Sequence, residues 1–300
     1  MPVDVQMKLV RAISGLEDAE FIRPGYAIEY DFVEPTELCP TLETKRVEGL
    51  FHAGQINGTT GYEEAACQGL IAGINAALKI QSKDPLLLRR DQAYIGILID
   101  DLVTKGTNEP YRMFTSRAEY RLHLRIDNAD QRLTPLGYQI GMIQEQDYRR
   151  YLEKQERLRL LQEQLQSIRV KVEDGKISAA QALKRPEVKI EGFLNLLPSE
   201  LQSRLSWEET KAVETAIKYE GYLAQQTTEI ERMKKAESRT IPEGFEYLGI
   251  SGLSREVVEK LSRVRPLTLG QAGRIPGMTP AALSILNIHL EMNSHQPSNL

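Results

Sequence analysis

The chain has 300 residues, 41% hydrophobic and 27% charged, a balance that suits a folded globular protein and excludes a disordered one. Its 38 Lys and Arg against 42 Asp and Glu leave a net charge of −4, so a polyanion would have to meet local basic clusters rather than the whole surface. Two cysteines, Cys39 and Cys67, are too few for a disulfide framework and fit a reducing, cytoplasmic setting; the four histidines lack metal-ligand spacing, and no run is long and apolar enough for a membrane span or a secretory leader.

In chain order, the first ninety residues predict short strands around one helix. AIEYDFV (27–33) alternates apolar with polar residues at period 2, as a half-buried strand should, and GLFHAG (49–54) reads as a second strand. Phe51 to Ala53 end at Gly54 and Gln55, a polar loop runs from Asn57 to Gly61, and a helix is expected from Tyr62 to about Ala77. Its small residues, Ala65, Ala66, Gly69, Ala72, Gly73 and Ala76, would let a backbone or a flat ligand come close, with Cys67 as one more small buried group.

This strand, loop and helix is half of a cofactor pocket. Free N–H groups at the helix start would favour an electron-rich ligand edge, Gly61 would permit close approach, and Gln55 offers a donor and an acceptor. The G-x-G-x-x-G turn that opens a dinucleotide domain is not found nearby. A turn packed through small residues with no ligand is the plain alternative.

From Asp91 onward the pattern is helical almost throughout. Ser116 and Glu119 are spaced as a capping box, and behind them Arg117, Arg121 and Arg125 recur every four residues, with Arg112 just before. On a helix these arginines form a cationic ridge suited to phosphates, with Tyr111, Tyr120 and His123 placed to stack on a base. Internal pairing with Glu119, Asp127 and Asp130 is the competing reading, and the alternation of Ala118, Tyr120, Leu122, Leu124 and Ile126 leaves a strand open. Thr134-Pro135 predicts a helix start, and 144–168 an amphipathic helix with Leu158, Leu161, Leu165 and Ile168 inward. Linkers are expected at Asp174-Gly175 and from Thr240 to Gly244, on either side of a long helix opened by the Ser206 and Glu209 box. Near the end, RIPGMTPAALSIL (274–286) has the form of a helix-hairpin-helix turn around Gly277, with Thr279-Pro280 opening the last helix. That helix has little positive charge for a duplex-binding module, although Arg255, Lys260, Arg263, Arg265 and Arg274 could help an RNA approach.

AGQINGTTGYEEAACQGLIAGINA together with DDLVTKGTNEPYRMFTSRAEYRLHLRIDNADQRLTPLGYQIG (100–141) resembles the MnmG (GidA) family of tRNA uridine 5-carboxymethylaminomethyl modification enzymes, and so do 23–38, 218–226 and 252–286. The resemblance covers only the C-terminal half of a family member, as in a piece of a longer enzyme or a free-standing binding module. It implies a mainly α fold: a remnant of an α/β FAD-binding domain (1–90), a helical tRNA-facing domain (91–240) and a C-terminal helical subdomain (241–300). It further implies FAD contacts at Gly54, Gln55, Gly61 and Tyr62, and tRNA contacts at Arg112, Arg117, Arg121 and Arg125. No catalytic residue and no metal site fall in this chain under that reading, since the reactive cysteines belong to the other half. NADH and a folate one-carbon donor serve the full-length enzymes, which act as homodimers with the MnmE GTPase, docked here by the terminal helices. Alone, the chain is expected to be inactive and to hold flavin weakly or not at all.

Overall fold

The computed structural model describes residues 1–172, 175–242 and 244–294, and most of them are helical. Helix α1 (Val3–Arg11) buries none of its side chains. An irregular path follows, on which the expected strands do not form. Residues 27–33 are extended but unpaired: the row Tyr26, Ile28, Tyr30 and Phe32 is exposed, and the Val33 N–H donates to the Ile56 carbonyl. Alternation specifies a strand only where an edge is available to pair, and the described residues offer none here. The second expected strand shrinks to a single bridge, Phe51 with Glu43, beside another of Leu38 with Thr44. It stops because Gly54 turns the chain at φ +78° into a short 3-10 segment, Gly54–Asn57.

Helix α2 (Tyr62–Ile80) and helix α3 (Tyr94–Lys105) then build the first core. Helix α3 reads YIGILIDDLVTK and is buried from Gly96 to Thr104; its Leu98 and Leu102 pack with Leu38, Leu42, Ile71 and Tyr111. After the irregular stretch 106–128 comes α4 (Ala129–Gln139). It starts six residues before Pro135, so Thr134-Pro135 lies inside the helix rather than opening it. The missing proline N–H removes one hydrogen bond, which this short helix tolerates.

Helix α5 (Glu145–Ser167) is the expected amphipathic rod, with Leu158, Leu161 and Leu165 buried. Strands β1 (Arg169–Val172) and β2 (Gly175–Ser178) pair antiparallel in the register Arg169 to Ser178 and Lys171 to Lys176. Gly175 therefore belongs to a hairpin rather than a linker; Asp174 lies outside the described residues. Helices α6 (Ala179–Leu183), α7 (Ser199–Arg204), α8 (Trp207–Lys218) and α9 (Glu220–Glu237) complete this part. Leu183, Ile190 and Val213 close a core over the α5 leucines. The Ser206 capping box forms: Ser206 Oγ accepts from Glu209 N at 3.2 Å and Glu209 Oε2 accepts from Ser206 N at 2.9 Å. The long helix it opens is broken at Tyr219, so α8 and α9 are separate.

Of the second expected linker, Glu243 lies outside the described residues, while Thr240 forms a bridge with Thr268 and Ile241 N donates to Leu267 O. Helices α10 (Arg255–Val264), α11 (Leu269–Arg274) and α12 (Pro280–Ser294) enclose a third core of Val257, Leu261, Ala272, Ala282 and Leu286. Thr279 Oγ1 caps α12 through Ala282 N at 3.1 Å, and Gly277 makes the preceding turn at φ +89°. Among the described residues no helix is long and apolar enough to cross a membrane.

Candidate functional site

The loop before α2 is tied down by a buried amide. Gln68, fully buried one and a half turns into α2, accepts from Gly54 N at 2.8 Å and from Asn57 Nδ2 at 2.9 Å. Its own Nε2 donates to Thr59 Oγ1 at 2.7 Å. One side chain thus fixes the positive-φ turn, the 3-10 segment and the polar loop together. Gly54 is obligatory on two counts: its φ is +78°, and a Cβ would sit 3.2 Å from Ala65 Cβ. Asn57 Oδ1 is left buried without a hydrogen-bond partner. Gln55 is half-buried at the rim, and Tyr62 is 90% exposed.

The start of α2 is not open. A Cβ at Gly61 would displace the Glu64 carboxylate, which folds back into that space. Glu64 Oε1 accepts from Met113 N at 3.0 Å and lies 3.5 Å from Arg112 Nε. The Met113 hydrogen bond, aided by Glu64's own N–H and by Arg112 and opposed by burial, holds this carboxyl below the usual glutamate range. A second tie is the Tyr111 N–H, which donates to Gly58 O at 2.8 Å. The cofactor-type loop and the arginine segment are therefore neighbours, joined at Gly58 and at Glu64.

The arginine segment is not a helix. A 3-10 turn at Thr115–Arg117 and further turns take its place, and Ser116 caps nothing. Neither the ridge nor the alternative strand forms: Ala118, Tyr120 and Leu124 are buried within turns, Ile126 is left exposed, and Glu119 pairs with Arg90. The four arginines diverge. Arg112 and Arg121 are exposed; Arg117 lies 4.4 Å over the Tyr111 ring and donates to Arg112 O at 3.1 Å; Arg125 pairs with Asp127 at 2.9 Å. His123, half-buried near Arg132, has its pKa lowered by burial and by that charge.

Behind the segment is an ion cluster that sequence reasoning missed. Arg90, 4% exposed, reaches Asp100 at 2.9 Å, Asp101 at 2.8 Å and Glu119 at 2.6 Å. Burial works against its charge, but the three carboxylates outweigh that and its pKa rises. Asp101 also accepts from Lys105 Nζ at 2.7 Å and from the Tyr111 hydroxyl at 2.9 Å. Asp100 is shared with Arg274 at 2.5 Å and 2.8 Å, and Arg274 goes on to Glu237 at 2.5 Å. Arg274, expected to meet RNA, is thus spent inside; Lys260 likewise pairs with Glu256 and Pro276 O. A cavity of about 220 Å³ lies beside the cluster, between α3, α9 and α11. The available signal was two adjacent acids, Asp100 and Asp101, inside an otherwise apolar helix, which have to be paired when buried. Cys67, expected to be buried, is exposed; partial desolvation of its thiol, with Glu64 and Glu63 nearby, still pushes its pKa up.

Comparison with known proteins gives consistent matches. The family model described as glucose inhibited division protein A matches residues 1–84, the MnmG/GidA C-terminal helical domain matches 145–227, and the MnmG/GidA C-terminal helical bundle matches 229–299. The chain is 54% identical over 306 residues to the tRNA uridine 5-carboxymethylaminomethyl modification enzyme MnmG of Thermodesulfovibrio yellowstonii, covering 97% of this chain and 49% of that protein. It is 50% identical to the enzyme of the same name from Listeria welshimeri, covering 97% and 48%. The structure of Aquifex aeolicus GidA superposes with a TM-score of 0.80 at 46% identity, over 96% of this chain and 48% of that one. The chain spans about half the length of the curated relatives it matches.

Proposed function

Because this chain belongs to the MnmG/GidA family and matches its C-terminal half, we propose that it serves a tRNA uridine 5-carboxymethylaminomethyl modification enzyme as flavin wall, tRNA surface and docking bundle. The observation that carries this reading is adjacency. The 54–61 loop and the arginine segment touch at Gly58–Tyr111 and Glu64–Met113, so a flavin held by one would lie beside a nucleotide held by the other.

The residues fit one wall of an FAD site, not an enclosure. Gly54 and Gly58 hold the loop in left-handed turns, Gln55 is half-buried and Tyr62 exposed, and Asn57 Oδ1 is an unused buried acceptor. Glu64 occupies the N-terminus of α2, so that end of the helix offers an anion nothing until the carboxylate moves. FAD, when bound, supplies the electron-transfer chemistry. The chain's own residues position and contact: Gln68 fixes the loop, and Arg112 and Arg121 present exposed cations to tRNA phosphates. Divided as 1–90, 91–240 and 241–300, the chain would pass from flavin wall to tRNA-facing helices to a terminal bundle for the MnmE GTPase. On its own it is read as catalytically silent.

The test is tRNA binding by the chain across a salt series, with Arg112→Ala and Arg121→Ala beside it. Each variant is expected to bind more weakly and to reduce the salt slope by about one. Binding indifferent to both would return these arginines to structural duty. Stoichiometric flavin in the purified chain would overturn the one-wall reading.

A further inference from the structure

Along α5 and α8 every Lys and Arg is matched to an acid. Arg149 pairs with Glu145, Arg150 with Asp147, Lys154 with Asp130, Arg157 with Glu209, Arg159 with Glu156, and Lys211 and Lys218 with Glu214. The hairpin breaks this pattern. Arg169, Lys171 and Lys176 are exposed, and none has an ion-pair partner among the described residues.

Their placement follows from the register. Lys171 stands directly opposite Lys176, and Arg169, two residues along β1, shares their face because side chains alternate along a strand. Val170, on the other face, packs against the core of α5 leucines, so the cationic face is turned outward. Like charges directly opposed weaken an antiparallel pair. Internal contacts therefore do not account for the arrangement, whereas a row of phosphates placed over it would. Arg185 and Lys189, exposed and also without an ion-pair partner among the described residues, follow α6, which packs on both strands.

We propose that Arg169, Lys171 and Lys176 make the outer face of the β1–β2 hairpin a binding surface for the phosphodiester backbone of RNA, separate from the arginine segment 112–125. The choice of RNA as the polyanion rests on the tRNA reading above. In sequence the two strands are separated by two acids, Glu173 and Asp174, whose negative charge provides a built-in control.

The experiment measures binding of a labelled, unmodified tRNA transcript to the full 300-residue chain by fluorescence anisotropy, between about 50 and 200 mM salt. The Arg169→Gln/Lys171→Gln/Lys176→Gln variant is expected to bind about ten-fold more weakly at the low end, with a salt slope smaller by about two to three. Lys171→Arg/Lys176→Arg should keep the parent affinity, and Glu173→Gln/Asp174→Asn should tighten binding. Parent affinity and slope in the triple variant, while Arg112→Ala still weakens binding, would overturn the hairpin surface and leave the arginine segment standing. A parent chain that binds no tRNA would overturn both. The substituted side chains are exposed, and an unchanged circular dichroism spectrum checks that the fold survives.

Discussion

Glu64 shows how much one carboxylate can fix. An acid in the first turn of α2 suits the helix dipole, and here it also binds Met113 N–H and faces Arg112. Its pKa is lowered from 4.5, led by the Met113 hydrogen bond, so the ionised form is favoured by folding. A depressed carboxylate contributes stability above its unfolded pKa and loses it as pH falls through the lower folded value. The tie between α2 and the arginine segment should therefore hold at neutral pH and loosen only on acidification below 4.5. The Met113 amide proton shift is expected to titrate with a midpoint under that value and to stop titrating in Glu64→Gln. A midpoint at or above 4.5 would contradict the hydrogen bond.

Helices were legible where burial and capping agree. In α5 the leucine stripe meets its core, and at α8 the Ser206 box forms as spaced. Glu209 in that box has a second partner, Arg157 of α5 at 2.7 Å, and is 4% exposed. Ser206→Ala should thus cost about 1 kcal/mol, the loss of a cap, and Glu209→Ala about 2–3 kcal/mol, since it also strands Arg157. Urea unfolding of the two variants checks the order; equal losses would mean that the cross-helix pair contributes nothing. The misread elements share a cause. The i, i+4 arginines suggested a helix, but Glu119 is held by the buried Arg90, and Tyr120 and Leu124 bury in turns. The alternation at 27–33 suggested a strand, but a strand also needs a partner. Both outcomes depend on groups remote in sequence, which local spacing does not report. Among the candidate site residues, the break in the chain at Gly54 was legible from the strand–loop–helix pattern. The positive φ that makes glycine necessary there was not, nor were the roles of Glu64 and Gln68, since each of these two acts by reaching a distant backbone N–H.

At the scale of the whole molecule, the first and third cores are fastened through Asp100, which takes Arg90 on one side and Arg274 on the other. Arg274 also neutralises Glu237 at the end of α9. Removing one partner from such a buried set is far more damaging than replacing the set entire. Arg274→Met is expected to destabilise by about 3 kcal/mol or more and to speed hydrogen exchange along α3 and α11 while leaving α5 protected. Uniform exchange across all three cores would show that the fastening is not local. The pairing has a further consequence for synthesis, because Asp100 and Arg274 are 174 residues apart. At about 5–20 residues per second, the aspartate leaves the ribosome roughly 9–35 s before the arginine that completes it. For that interval the nascent first core carries an unfinished charge, and it is sealed only when a helix translated long afterwards arrives.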